Sequence, residues 1–507
     1  MRVGADPGRL ESYARLGAEL DEGLRHGARA LAGSAAATGT RATRAALDAL
    51  AEDVRRLAQL ESATTRWVRA VGSALAAADG GAVRAGTLAL VADIAAAADA
   101  PNAVAPLRAL LRTGAVPELV AVVAASLGPT GIGRMAAMAP ELVGPVDGMP
   151  PEERYAANRV LLRRLVAHEP DRARRIALRR LLRTDPATGR PRQILFVDPH
   201  HDGRVVEVIG RLDTARSVAV VVPGVGNDLT TFDQDVAPCA RRLHAAADTA
   251  AGRPGRTAVV AWLGYDPPDA PHLAPRAIWQ LTDRGPALRG GELLARAVAG
   301  LDLGPEQRLV LIGHSYGSTT VGAAVLAGAR PDAVVAAGSP GMLVEHASEL
   351  GAPGTELFTM EAPGDLVTRT RAFGPDPNRP GSGFTRLETG GAGHSAYFRA
   401  GSVALVNLAA VVAGRPHRLR RRPPNAAETA AADVHGAGAR LVTEADRAGR
   451  WLRREELLAP VAPDAGDAAL VTAVVAAGTA DDAVEVAREV IDDVTGLARF
   501  LAGRRSR

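Results

Sequence analysis

A series of short apolar segments between residues 190 and 390, separated by stretches long enough for helices, most constrains how this chain can fold. Most of the later segments are continuously apolar, as parallel strands buried on both faces are. The first two are joined by Pro199-His200-His201-Asp202-Gly203, which has the composition of a hairpin turn. The chain therefore predicts an α/β fold with a mostly parallel sheet of eight strands, at residues 194–197, 205–209, 218–222, 258–263, 309–312, 333–337, 357–360 and 384–387.

A serine lies directly after the fifth predicted strand. The motif Gly313-His314-Ser315-Tyr316-Gly317 follows residues 309–312 and precedes a small-residue stretch at 318–327. Glycines let the backbone turn sharply without a Cβ clash, so the Ser315 hydroxyl should project above the sheet. Strand, tight turn and helix form the context in which G-x-S-x-G is a nucleophile elbow. This motif predicts that Ser315 is a catalytic nucleophile.

A serine nucleophile needs a base and a carboxylate that orients it, and on such a sheet the chain order is Ser, acid, His. Asp365 follows the strand predicted at 357–360 and is the expected acid. Asp376, deeper in a Pro/Gly-rich loop, is the alternative. His394 lies in the glycine-rich loop after the last predicted strand and is the expected base.

The oxyanion of an acyl-transfer intermediate needs preorganised amide donors. We expect the Tyr316 amide to be one donor and the Val225 amide, in the loop after strand 218–222, to be the other. Ligands bind at the carboxyl ends of parallel strands. The residues predicted to line a substrate pocket there are Gly224, Gly226, Tyr265 and Asp266. For Tyr265 and Asp266, a turn is an equally good interpretation.

Composition argues against several other functions. The net charge is +4 with both signs interspersed, so no nucleic-acid partner is expected. The single cysteine, Cys239, excludes an intrachain disulfide and is expected to be a small buried side chain. The His200, His201 and Asp202 cluster suggests a metal, but a solvated turn is the favoured interpretation. We expect no metal and no cofactor.

The chain divides by pattern into four regions. Residues 1–80 predict a helical hairpin, 81–185 a helical region, 186–415 the catalytic domain and 416–507 a C-terminal helical region with a helix at 482–501. Leucines at helical spacing predict that the hairpin buries its own seam. These stripes are Leu10, Tyr13, Leu16, Leu20 and Leu24, then Leu47, Leu50, Val54, Leu57 and Leu60.

No segment is expected to span a membrane. The longest apolar stretches, 115–127 and 403–413, are shorter than a bilayer requires. Residues 1–21 lack the apolar core of a signal peptide. The sequence therefore predicts a cytoplasmic protein.

Several motifs taken together resemble an actinobacterial α/β-hydrolase family long catalogued as a domain of unknown function. They are Pro223-Gly224-Val225-Gly226, Gly264-Tyr265-Asp266-Pro267, Gly313-His314-Ser315-Tyr316-Gly317, Gly338-Ser339-Pro340-Gly341, Gly393-His394-Ser395 and Arg154-Tyr155-Ala156-Ala157-Asn158-Arg159. The resemblance covers residues 150–415. It implies an α/β-hydrolase fold and a serine-hydrolase triad, here at Ser315, Asp365 and His394, and it supplies no substrate.

The N-terminal hairpin is similar to the WXG-type proteins of actinobacterial specialised secretion. Trp67, however, is followed by Val68-Arg69 and not by x-Gly, and it lies inside a predicted helix. Export by such a system and a helical protein partner for the hairpin are alternatives that this resemblance implies.

The sequence thus predicts a serine hydrolase that cleaves an ester or related acyl bond of a small molecule through an acyl-enzyme. Two alternatives stay open. One is a non-catalytic or secretion-linked partner-binding protein on a hydrolase-like scaffold. The other is an acyltransferase that uses the same acyl-enzyme.

Overall fold

This computed structural model describes residues 2–3, 7–37, 41–77, 83–97, 100–269, 283–391 and 393–423. The helix predicted at 482–501 and nearly all of the predicted region 416–507 lie outside the described residues.

The central element is a sheet of eight strands. In chain order they are β3 (Gln193–Asp198), β4 (Arg204–Gly210), β5 (Ser217–Val222), β6 (Thr257–Leu263), β7 (Arg308–His314), β8 (Ala333–Ala337), β9 (Glu356–Met360) and β10 (Thr385–Leu387). Across the sheet their order is β10-β9-β8-β7-β5-β6-β4-β3. All strand pairs are parallel except β3–β4 and β4–β6. The predicted eight-stranded, mostly parallel sheet is therefore confirmed.

Helices cover both faces of this sheet. Every residue of β5, β6 and β8 is buried, which explains their nearly continuous apolar sequences. One face packs on α8 (Phe232–Ala251) and α11 (Val403–Val412), and the other packs on α9 (Gly285–Ala299) and α10 (Tyr316–Leu326). Neighbouring residues of a strand point to opposite faces. Val221 packs in the core with α8 and α11, and Val220 packs in the core with α9 and α10.

The N-terminal part is helical. Its elements are a two-residue pair, β1 (Arg2–Val3) with β2 (Val83–Arg84), and the helices α1 (Pro7–Ala37), α2 (Arg41–Ala77), α3 (Ala85–Ala96), α4 (Ala100–Arg112), α5 (Pro117–Met138), α6 (Pro151–His168) and α7 (Arg172–Leu181). Helices α3 to α5 share a core of their own with the end of α2.

Helices α1 and α2 pack along each other, but alanines are what this packing buries. Ala14, Ala28, Ala51 and Ala58 are at most 3 % exposed. The predicted leucine seam is only partly buried: Leu10, Leu24, Leu47 and Val54 are half-buried, whereas Tyr13, Leu16, Leu20, Leu50 and Leu57 are exposed. Alanine lets two helices approach closely, and spacing alone does not say which of two possible faces is turned inward.

Helix α5 is long and apolar enough for a membrane span by length and composition. It is kinked, because Gly128 has a φ of 65° and Pro129 follows it. The two halves on either side of the kink are each shorter than a bilayer requires. Their side chains, Val120, Val123, Ile132 and Met135 among them, are buried in the helical core, as in a core helix of a globular protein.

Helices α6 and α7 pack directly on the sheet. Leu162, Leu178 and Leu181 belong to the core shared with α8 and α11. Asn158, fully buried, donates through Nδ2 to the Ile194 carbonyl of β3 at 3.0 Å and to the Gly144 carbonyl at 2.9 Å. The family-like segment around Arg154 thus joins the helical part to the edge of the sheet.

Candidate active site

Ser315 occupies a sharp turn between β7 and α10. Its φ of 56° and ψ of −132° are rarely adopted by a residue with a Cβ. The turn is held by hydrogen bonds on both sides: Ser315 N donates to Ala337 O at 2.9 Å, and Ser318 Oγ donates to Ser315 O at 2.6 Å. Strained conformations of this kind persist where the surroundings over-determine them, as in a nucleophile elbow.

Three glycines make room for the turn. A Cβ on Gly313 would lie 2.3 Å from Ser318 Cα, and a Cβ on Gly317 would lie 2.3 Å from the Val222 carbonyl oxygen. On the neighbouring loop, a Cβ on Gly224 would lie 2.7 Å from Ser315 Cβ and 3.0 Å from its Oγ. Real Cβ atoms do not approach so closely, so larger residues at these positions would displace the serine.

The structure brings His394 and Asp365 together. His394 Nδ1 lies 2.9 and 3.0 Å from the two Asp365 carboxylate oxygens. Because a carboxylate only accepts, Nδ1 carries the proton and Nε2 of a neutral ring is free to accept one. Asp376 instead accepts from the Asn378 amide at 2.8 Å in its own turn.

Asp365 is 1 % exposed and is held by several donors. Burial alone would raise its pKa, but the hydrogen bonds from His394, from the Tyr397 hydroxyl at 2.6 Å and from the Val367 amide at 3.0 Å bring the pKa below its ordinary value. The carboxylate is therefore ionised at neutral pH. Tyr397 was missed by the sequence reasoning; its position three residues after His394 was the signal available.

His314, the second residue of the serine motif, also contacts the His394 loop. Its Nε2 donates to the His394 carbonyl at 2.8 Å, and the two rings are tilted with centroids 4.7 Å apart. Burial, followed by the proximity of His394, lowers the pKa of His314 to about 4. His314 is therefore neutral at neutral pH and supports the backbone of His394.

Ser315 and His394 line the same two cavities. Within the described residues the serine hydroxyl and the histidine ring do not share a hydrogen bond. Catalytic hydrogen bonds are often long without substrate and tighten in the substrate complex. Because both side chains line the same two cavities, a substrate bound there can contact both of them.

The loop after β5 lies beside Ser315 and is rigidly held. Asn227 Nδ2 donates to the carbonyls of Gly224 and Val225, at 3.0 and 3.2 Å. The Gly226 amide donates to Pro268 O at 3.0 Å, and the Tyr265 hydroxyl donates to Pro223 O at 2.7 Å. These contacts fix the loop that carries the Val225 amide.

The predicted amide donors are well situated. Tyr316 is the first residue of α10, so its amide has no acceptor within the helix. Val225 lines both cavities next to Ser315. Among the described residues the Val225 amide donates no hydrogen bond to the protein. Both amides can therefore serve an oxyanion.

The predicted pocket residues have separate positions. Gly224 and Gly226 line the larger cavity at Ser315. Tyr265 is 2 % exposed, stacks on Trp262 and lies outside the residues that line either cavity. Its hydroxyl donates to the Pro223 carbonyl and so supports the loop after β5. Asp266 also lies outside both linings.

The His200 and His201 cluster forms the tip of the β3–β4 hairpin. His200 is largely exposed and pairs with Asp198 at 2.6 Å. In the part of the chain that the structure describes, no group of three or more His, Cys, Asp or Glu side chains is arranged to hold a metal ion.

Comparisons with known proteins point to one family. A family model described as "Alpha/beta hydrolase" matches residues 198–375, which include Ser315 and Asp365 and end before His394. Uncharacterized protein Mb0988c of Mycobacterium bovis is 33 % identical over 211 residues, 39 % of this chain and 77 % of that protein.

Uncharacterized protein Rv2079 of Mycobacterium tuberculosis is 30 % identical over 275 residues, 46 % of this chain. This chain thus spans 40 % of that relative's length. Among solved structures, carboxyl esterase 2 of the mycorrhizal fungus Tuber melanosporum aligns with a TM-score of 0.25 and 13 % identity, over 51 % of this chain and 93 % of the esterase.

Proposed function

Since this chain belongs to the α/β-hydrolase family, we propose that it is a serine hydrolase that cleaves an ester or related acyl bond. The observation that carries the proposal is the contact of His394 Nδ1 with both carboxylate oxygens of buried Asp365. The same histidine lines two cavities together with the strained Ser315. The three side chains lie far apart in sequence. They follow β7, β9 and β10, whose carboxyl ends lie at the same end of the sheet, and this arrangement supports the proposal.

The proposed reaction has two steps, formation of an acyl-enzyme and its hydrolysis. Ser315 Oγ attacks the acyl carbon and gives its proton to His394 Nε2, which passes it to the leaving-group oxygen as the carbon–oxygen bond breaks. Water then attacks the acyl-enzyme, His394 takes a proton from it, and that proton returns to Ser315 Oγ as the free acid leaves. Asp365 keeps the ring in the required tautomer throughout.

The amides of Tyr316 and Val225 are the proposed oxyanion donors. Each preorganised donor of this type contributes about 3 kcal/mol to the transition state. The reaction as proposed needs no cofactor.

The decisive variant is Ser315→Ala in the full chain. We expect at least about a thousandfold loss of kcat on p-nitrophenyl butyrate, with unchanged folding by circular dichroism. A fluorophosphonate probe should label the wild-type protein on the peptide that contains Ser315 and should not label the variant.

The matched control is Ser348→Ala, which changes an exposed serine outside the site. It should retain turnover and labelling. Wild-type-like turnover by Ser315→Ala, or labelling of a peptide without Ser315, would overturn the proposal.

A further inference from the structure

Ser315 and His394 lie at the boundary between two cavities of different character. The smaller has a volume of about 60 Å³ and the larger of about 400 Å³. An ester placed with its carbonyl carbon at Ser315 has two ends, and each cavity can receive one. The chemistry of the two linings decides which end goes where.

The small cavity is apolar. Besides Ser315 and His394 it is lined chiefly by Pro340, Val367, Ala372 and Phe373, and each lining residue is buried or half-buried. Its polar groups are already used: Thr370 Oγ1 donates to Val367 O at 2.7 Å, and the Tyr316 hydroxyl donates to Asp283 O at 2.8 Å. A polar substituent there would lose its water without gaining a partner.

The small cavity is also short. One water-sized atom needs about 10–15 Å³ by this measure of volume, so 60 Å³ holds roughly five such atoms. The Phe373 ring forms part of its wall and packs edge-on against Tyr316, with ring centroids 5.1 Å apart. Phe373 is 1 % exposed and so has little freedom to move aside.

The larger cavity has a mixed lining, and several of its polar side chains face solvent. Gln234, Asp235, Arg242 and Ser395 line it and are exposed. The leaving group must depart to solvent, and the water that releases the acyl group must arrive where the leaving group was, because His394 serves both steps. Because the larger cavity has exposed polar side chains, this requirement assigns the leaving group to it and leaves the acyl group in the small apolar cavity.

We propose that the substrates are esters of short acyl groups, of about two to six carbons, with a larger polar alcohol as leaving group. This inference rests on the proposed function and adds a substrate class to it. The specificity-determining side chains are Ala372 and Phe373 for the acyl end and Gln234 for the leaving-group end.

The test measures kcat/KM of the full chain on p-nitrophenyl esters of acetate, butyrate, hexanoate, decanoate and palmitate. We expect a maximum at or below six carbons and a fall of at least about tenfold by ten carbons. In Ala372→Leu the butyrate-to-acetate ratio should fall about tenfold, because the added side chain takes up volume in the small cavity. An exposed site far from both cavities provides the matched control, Ala299→Leu, which should keep the wild-type profile.

Widening the cavity should have the opposite effect. Phe373→Ala should move the maximum to longer chains, and Val367→Ala gives a milder enlargement should Phe373→Ala fail to fold. In contrast, Gln234→Trp should leave the acyl-length profile unchanged and alter the discrimination between ethyl butyrate and glyceryl butyrate.

The outcomes separate the two proposals. Turnover that rises through ten and sixteen carbons, or an Ala372→Leu profile equal to wild type, would overturn the short-acyl assignment while the hydrolase stands. A change of acyl-length profile in Gln234→Trp would reverse the assignment of the two cavities. Absence of turnover on every ester, with no fluorophosphonate labelling of Ser315, would refute the hydrolase and this inference together.

Discussion

Ser315 illustrates how strain at a single residue is maintained by its neighbours. A non-glycine residue at φ 56° and ψ −132° costs about 1–3 kcal/mol, which the surrounding fold must offset. Glycines at 224, 313 and 317 remove the atoms that would otherwise collide with the turn. The G-x-S-x-G motif predicts two of these glycines, whereas the closeness of Gly224 arises from the separate strand β5.

His314 should make stability depend on pH. Its pKa is about 6.5 in the unfolded chain and about 4 in the folded protein. Between these values the unfolded chain binds a proton that the folded protein does not, so stability falls as pH decreases from about 6.5 to 4, by at most about 1.4 kcal/mol per pH unit. His314→Gln, which keeps an amide donor for the His394 carbonyl, should flatten the free energy of unfolding across this window.

Urea denaturation at several pH values measures this effect. Exposed His168 supplies the control, and His168→Gln should keep the wild-type slope. Parallel curves for His314→Gln and wild type would contradict the role assigned to His314.

Among the elements, the β3–β4 hairpin depends on a buried ionic network. Glu207 on β4 is 1 % exposed and accepts from Arg192 Nε and Nη2 at 2.8 and 2.6 Å and from Arg241 Nη2 at 2.8 Å. Arg192 Nη1 also pairs with Asp233 at the start of α8. The network ties the antiparallel edge of the sheet to a helix on its face.

Removing the Glu207 charge should therefore destabilise the fold. Glu207→Gln leaves two arginines without their shared anion, and we expect a loss of about 3–5 kcal/mol in the free energy of unfolding, measured in urea. Glu306→Gln, at an exposed glutamate, should change it by less than about 0.5 kcal/mol. Equal unfolding midpoints for the two variants would show that the network contributes nothing.

At the scale of the whole molecule, the helical part and the sheet share contacts across the predicted boundary at residue 185. Leu162, Leu178 and Leu181 are buried with the sheet, and Asn158 donates to β3. Burial of a leucine contributes about 1.5–3 kcal/mol. The three side chains together therefore contribute a free energy comparable with the total stability of a typical domain. The boundary itself stays a prediction.

Two fragments test whether α6 and α7 belong to the catalytic unit. We expect residues 139–423 to unfold cooperatively in urea and to hydrolyse p-nitrophenyl butyrate. Residues 186–423 should do neither, because they lack Leu162, Leu178 and Leu181, which are buried against the sheet. Equal unfolding midpoints and activities for both fragments would place the boundary at 185 after all.

Helices α1 and α2 carry exposed apolar side chains. Tyr13, Leu16, Leu20, Leu50 and Leu57 are large apolar side chains that are exposed on these helices. A helical partner for this region, and its resemblance to WXG-type proteins, stay predictions.

The sequence alone was enough for the order of the strands along the chain, the sheet type and the residues at the turn after β7, because apolar periodicity and glycine placement are local properties. It also pointed to Asp365 and His394, which the fold brings into contact. Only the tertiary structure decided that Tyr397 and His314 hold these two, that Asn227 fixes the loop of Val225, and that alanines lie between α1 and α2. These outcomes depend on distances between distant segments and on which face of an element is turned inward, and a pattern along one chain carries neither quantity.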